Sequence, residues 1–107
     1  MKLILSIVSN DDASKVTKAL IKENFMVTKL STTGGFFMSG NTTLLVGAED
    51  DDVNTVIEVI GNNSKKRSKI VPNNITSQYG VFQEKPLEVK VGGATIFVLN
   101  VERHLKV

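Results

Sequence analysis

Residues 32–47 read Thr-Thr-Gly-Gly-Phe-Phe-Met-Ser-Gly-Asn-Thr-Thr-Leu-Leu-Val-Gly, and this stretch carries the densest set of groups able to hold another molecule. Gly34, Gly35 and Gly40 let the backbone take positive φ and approach a partner closely, while Thr32, Thr33, Ser39, Asn41, Thr42 and Thr43 supply neutral donors and acceptors. Phe36 and Phe37 set flat apolar faces beside them. A ligand with both phosphates and aromatic bases uses all three features: backbone N–H groups for the oxygens, side-chain amides for base edges, rings for stacking. The same residues also make an ordinary hairpin loop with two phenylalanines in the core, because turn chemistry draws on the same types.

Other chemistry is scarce. The chain has no cysteine, which excludes a disulfide framework, a thiolate metal site and a cysteine nucleophile. Glu49-Asp50-Asp51-Asp52 suggests a metal site at first sight, but Val53, Val56, Ile57 and Ile60 follow at helical spacing. The acids therefore read as the cap and first turn of a helix, where the macrodipole favours each carboxylate by ~0.3 to 1 kcal/mol. His104, the single histidine, has no acid and nucleophile near it in sequence and reads as a surface residue. There is no nucleophile elbow and no Gly-rich phosphate loop ending in Lys-Ser or Lys-Thr. Neither Arg67 nor Arg103 lies in the phosphate cradle that a small acyl-phosphate hydrolase requires. The residues argue for binding rather than catalysis.

Charge does not name a partner. With 13 Lys and Arg against 11 Asp and Glu, the net charge of +2 is no footprint for nucleic acid. Gly35-Phe36-Phe37 faintly echoes the stacking strand of an RNA-recognition module, but it sits in a loop rather than on a basic sheet face. Lys65, Lys66, Arg67 and Lys69 form the one basic cluster, either a solvated face or a contact for an anionic ligand or partner.

The elements that must position these groups follow from periodicity. The 107 residues predict one domain, 1–107. Residues 3–8 form an apolar run that suits a central strand; it stops at Ser9-Asn10-Asp11-Asp12 without a cleavage site, so it is not a signal peptide, and no stretch is long enough to span a bilayer. A cytoplasmic protein is expected. The polar residues cap a helix over residues 12–23, with Ala13, Val16, Leu20 and Ile21 on its apolar face. Residues 25–31 read as a second strand, with Met26, Thr28 and Leu30 on one face and Phe25, Val27 and Lys29 on the other. A short loop over 33–41 leads to a third strand over 42–48, and Gly61 is placed to end the second helix in a left-handed conformation.

A shift of forty residues superimposes Leu5 on Leu45, Asp11 and Asp12 on Asp51 and Asp52, Val16 on Val56 and Leu20 on Ile60. Two strand-helix-strand halves predict an α+β fold in βαββαβ order: a ferredoxin-like plait with an antiparallel sheet and both helices on one face. Residues 62–85 break this pattern as a long loop. Pro86 opens a further strand, Gly92-Gly93 reads as a two-residue hairpin turn, and residues 94–101 return as an extra C-terminal hairpin strand.

Asn24-Phe25, Thr28-Lys29-Leu30, Thr32-Thr33-Gly34-Gly35-Phe36, Gly40-Asn41-Thr42-Thr43, Gly47 and Val91-Gly92-Gly93-Ala94-Thr95 closely resemble the PII-like cyclic di-AMP receptor proteins of Gram-positive bacteria. The resemblance spans nearly the whole chain. It implies a homotrimer of ferredoxin-like subunits, one cyclic di-AMP bound in each cleft between neighbours, and a signalling role without catalysis, cofactor, nucleic acid or membrane insertion. The short connection at 33–41 and the long one at 62–85 distinguish this member of the superfamily from nitrogen-regulatory PII proteins that bind ATP or ADP, which carry their long loop between the second and third strands. The resemblance further implies that Asn24, Met26, Val27, Thr28, Gly35, Phe36, Phe37, Asn41 and Gly47 line the nucleotide cleft. Thr28 and Asn41 would hydrogen-bond phosphate or base edges, the Gly35 N–H would meet a phosphate oxygen, and Phe36 or Phe37 would pack on adenine. Met26 stands where the family often has arginine, so a guanidinium contact is absent and an apolar one takes its place.

Overall fold

The computed structural model of the chain describes residues 1–30, 40–71 and 87–107. Strand β1 (Lys2–Ser9) alternates strictly: Ile4, Ser6 and Val8 are buried, and Leu3, Leu5 and Ile7 are half-buried on the other face. Ser9 ends the strand and caps helix α1 (Asn10–Lys22), its Oγ accepting the Asp11 N–H at 3.3 Å. Strand β2 (Val27–Leu30) and strand β3 (Asn41–Ala48) follow, and Gly40 enters β3 at φ 124°, as the loop reading expects. A 3-10 turn over Asp50–Asp52 leads into helix α2 (Val53–Asn62), so the acidic run does precede a helix, although Asp52 makes no side-chain cap bond.

Strands β4 (Arg67–Val71), β5 (Leu87–Val91) and β6 (Ala94–Asn100) complete the chain. The main sheet has the order β2-β3-β1-β6, each neighbour antiparallel to the next. Ile4, Val8, Leu44 and Val46 from its inner face pack with Val16 and Leu20 of α1 and Val56 and Ile60 of α2 in one cluster, so both helices cover the same side. Each such fully buried aliphatic side chain contributes about 1.5 to 3 kcal/mol. The internal repeat is visible here: Val16 and Val56, Leu20 and Ile60 occupy matching buried positions. This small α+β arrangement is compatible with a ferredoxin-like plait. Among the described residues no helix is long and apolar enough to cross a membrane.

Three expectations are corrected. Gly61 does not end its helix; α2 runs on to Asn62, and Asn63 at φ −104° is the C-cap. Residues 67–71, inside the expected long loop, form β4 and pair with β5 in a separate two-stranded ribbon. The C-terminal hairpin across Gly92-Gly93 does not form. Both glycines have positive φ, 92° and 80°, but β6 leaves the ribbon and pairs with β1, from Lys2 opposite Asn100 to Val8 opposite Ala94. β6 instead fills the edge of the main sheet that β1 offers, while β5 is paired with β4 in the ribbon. A Cβ at Gly92 would collide with the Lys65 carbonyl oxygen, and the Gly93 N–H donates to the Ser64 carbonyl, so the junction is packed against the segment leaving α2.

One residue of the basic cluster is spent inside the fold. Arg67 on β4 grips Asp12 on α1 in a bidentate pair, Nη2 to Oδ1 at 2.8 Å and Nη1 to Oδ2 at 3.2 Å, and Nη1 also donates to the Lys65 carbonyl at 3.2 Å. The Asp12 side chain is only 4% exposed, whereas that of Arg67 is 44% exposed. The hydrogen bond that Arg67 donates to Asp12 is the main reason that the Arg67 pKa is raised. Asp12 thus ties the two-stranded ribbon to the helical layer instead of merely capping α1. The unequal burial sets an asymmetry. Arg67→Ala strands a buried carboxylate and is expected to lower the melting temperature more than Asp12→Ala, and the double substitution no more than Arg67→Ala; additive losses in thermal melts would contradict this coupling.

Candidate functional site

The turn that ends α1 organises the site. Glu23 is the C-cap, and Asn24 follows at φ 69°, the one positive-φ residue other than glycine among the described residues. Its N–H donates to the Ile21 carbonyl at 2.9 Å and that of Phe25 to the Leu20 carbonyl at 3.0 Å, the paired closure of a Schellman motif. Phe25 is thereby folded back to pack against the core that contains Leu20. With Phe25 inward, strand alternation turns the next residue out, and Met26 is 83% exposed.

The same parity continues along β2. Val27 lies opposite Val46 and packs with the core, while Thr28 lies opposite Leu45 on the outer face. Gly47, opposite Leu3, is on that face too. Asn24, Met26, Thr28 and Gly47 consequently line one groove of about 610 Å³, within the range of about 300 to 1,000 Å³ usual for small-molecule sites. Leu3, Leu45 and Val101 supply apolar wall; Glu49, Asp52 and His104 supply the polar part. No lysine or arginine lines it among the described residues. The missing side chain of Gly47 keeps the floor low, and a Cβ there would stand 3.1 Å from the Met1 Cε.

Of the nine residues expected at the cleft, four thus come together. Val27 does not join them, because its side chain belongs to the helix-facing layer. Asn41 is exposed at the other end of β3, opposite Ser9. At about 3.3 Å per residue it is about 20 Å from Gly47. That end is anchored to α1: the Asn10 N–H donates to the Gly40 carbonyl at 2.5 Å, and the Thr42 hydroxyl to Asn10 Oδ1 at 2.5 Å. Gly35, Phe36 and Phe37 lie outside the described residues. His104, expected to be a surface residue, is exposed, and it also lines the groove together with Glu49 and Asp52. No local pattern marked it, since only the tertiary path of the chain after β6 brings it to β2.

Chemically, the groove offers an apolar floor, one amide, one hydroxyl, an imidazole and two carboxylates. This suits a flat, partly polar molecule held by several weak contacts. Among the described residues no group of three His, Cys, Asp or Glu side chains is gathered to hold a metal ion.

A family model described as "Cyclic-di-AMP receptor" matches residues 1–107, the whole chain. Among solved structures, a functionally unknown protein from Pediococcus pentosaceus ATCC 25745 is similar: 39% identical, covering 99% of this chain and 96% of that one, with a TM-score of 0.75.

Because Asn24 holds a left-handed conformation, its backbone and side-chain roles are separable. Asn24→Gly is expected to keep the melting temperature near that of the unaltered protein. Asn24→Ala should cost about 1 to 2 kcal/mol in denaturant unfolding, and an alanine variant as stable as the glycine one would refute the strained-turn account.

Proposed function

Because the chain belongs to the cyclic-di-AMP receptor family, we propose that it is a PII-like signal transduction protein that binds cyclic di-AMP at the β2–β3 groove and relays occupancy through its loops, without catalysis, in the cytoplasm. The observation that carries this reading is the convergence of Asn24, Met26, Thr28 and Gly47, four residues implied for nucleotide contact, on one groove of suitable size. Thr28 and Asn24 offer hydrogen bonds to polar edges of the ligand, and Met26 offers apolar contact without a guanidinium. Gly35 would present its N–H to a phosphate oxygen, and Phe36 or Phe37 would stack on adenine, a contact worth ~1 to 3 kcal/mol.

The distance of Asn41 from the groove fits a site shared between copies: the groove of one subunit facing the Asn41 end and the 33–41 loop of the next. A second observation supports self-assembly. The sheet face away from the helices carries Leu3, Leu5, Ile7 and Leu45 with Phe97, 53% exposed, and Leu99, 44% exposed. An apolar sheet face of this kind favours burial against further copies of the chain, and we take the assembly to be a trimer of ferredoxin-like plaits. A doubly charged dinucleotide bridging two subunits would order the 33–41 loop and bias the segment around Lys65 and Lys66, altering the surface offered to a downstream protein.

Calorimetric titration with cyclic di-AMP, cyclic di-GMP, ATP and AMP tests the reading. Cyclic di-AMP is expected to bind tightest, and tight ATP binding with no response to either cyclic dinucleotide would replace it with a nitrogen-regulator function. Thr28→Ala and Asn41→Ala should each weaken binding about tenfold while leaving the melting temperature unchanged. Assemblies refolded from a mixture of these two variants should regain a class of full-affinity sites, since some clefts then combine intact Thr28 with intact Asn41; no recovery would place both residues on one subunit's site. Gly47→Ala should melt no lower than the unaltered protein, because alanine suits a strand better than glycine by about 0.5 to 1 kcal/mol. It should still weaken binding by raising the groove floor, and unchanged affinity would remove Gly47 from the site.

A further inference from the structure

We propose that His104 is a ligand-contacting residue of the β2–β3 groove and holds the anionic nucleotide in its protonated form, so that binding takes up a proton. The inference rests on the groove being the nucleotide site. Its basis is the charge of the lining: Glu49 and Asp52 are there, no lysine or arginine is among the described residues, and position 26 is methionine. A cyclic dinucleotide brings two negative phosphodiesters toward two carboxylates, and among the described residues His104 is the one lining side chain able to become cationic. The incoming negative charge of a bound ligand favours imidazolium over imidazole.

Histidine changes charge between about pH 5 and 8, so this coupling falls in the physiological range. The other charged groups at hand do not supply the missing cation to the groove. Met1 also lines the groove, but its ammonium is paired with Asp50 at 3.1 Å, and Arg103 and Lys106, with Glu102, flank His104 on its own segment without lining the groove. The sign follows from linkage. A ligand that prefers the protonated form raises the proton affinity of His104 in the complex. Affinity is then greatest below the histidine titration range and falls as pH rises through it.

Because His104 is the only histidine, a single imidazole resonance reports its titration without any substitution. Adding cyclic di-AMP is expected to move the midpoint of that titration to higher pH. Calorimetry should show about tenfold tighter binding at pH 6 than at pH 8, with heats that depend on buffer ionisation enthalpy. His104→Gln should bind with one weak affinity at both pH values and take up no proton, and neutral adenosine should elicit no uptake from either protein. An unmoved or lowered midpoint, or a pH dependence that survives in His104→Gln, overturns the proposal while the groove stands as the nucleotide site. Failure of the unaltered protein to bind cyclic di-AMP at all removes both.

Discussion

The antiparallel pairing of β1 with β3, from Lys2 opposite Ala48 to Ser9 opposite Asn41, is the constraint on which the rest of the molecule depends. Because side chains alternate along a strand, this one register decides two surfaces at once. Ile4, Val8, Leu44 and Val46 meet the helices, and Leu3, Leu5, Ile7, Leu45 and Gly47 face the other way. A slip of one residue would exchange the two sets, exposing the helix-facing core and burying the groove floor. The core and the groove floor are two sides of the same register.

The second strand takes its parity from a different source. Asn24 in the left-handed region closes α1 with two backbone hydrogen bonds and throws Phe25 onto the core. From there Met26 and Thr28 must point outward, onto the face that already carries Gly47. A helix-ending motif thereby fixes which residues of β2 face the groove. This also explains why Val27 falls out of the groove lining although it sits between two residues that belong to it.

The two-stranded ribbon of β4 and β5 is tied to the body at its base, by Arg67 on Asp12 and by the Gly93 N–H on the Ser64 carbonyl. Both ties meet elements that begin or end in the helical layer. The basic cluster Lys65, Lys66, Arg67 is therefore not a uniform charged patch: its arginine is committed to a buried carboxylate, while Lys65 and Lys66 are exposed.

Periodicity alone determined β1, α1, β2, β3 and α2, the apolar helix positions Val16, Leu20, Val56 and Ile60, and the grouping of Met26 with Thr28 on one face of β2, because these are local consequences of how a backbone alternates or winds. The glycine and hydroxyl motifs were enough to indicate a nucleotide-binding family, since such residue strings are themselves chemical. Only the tertiary structure decided that Gly61 continues a helix, that Gly92-Gly93 joins two sheets instead of turning a hairpin, that Arg67 is held by Asp12, and that His104 reaches a groove beside Thr28 and Gly47. In each of these cases the outcome depends on which distant segment offers the free edge, the buried charge or the open wall. Such partners are chosen by competition across the whole fold, and no window of neighbouring residues contains that information.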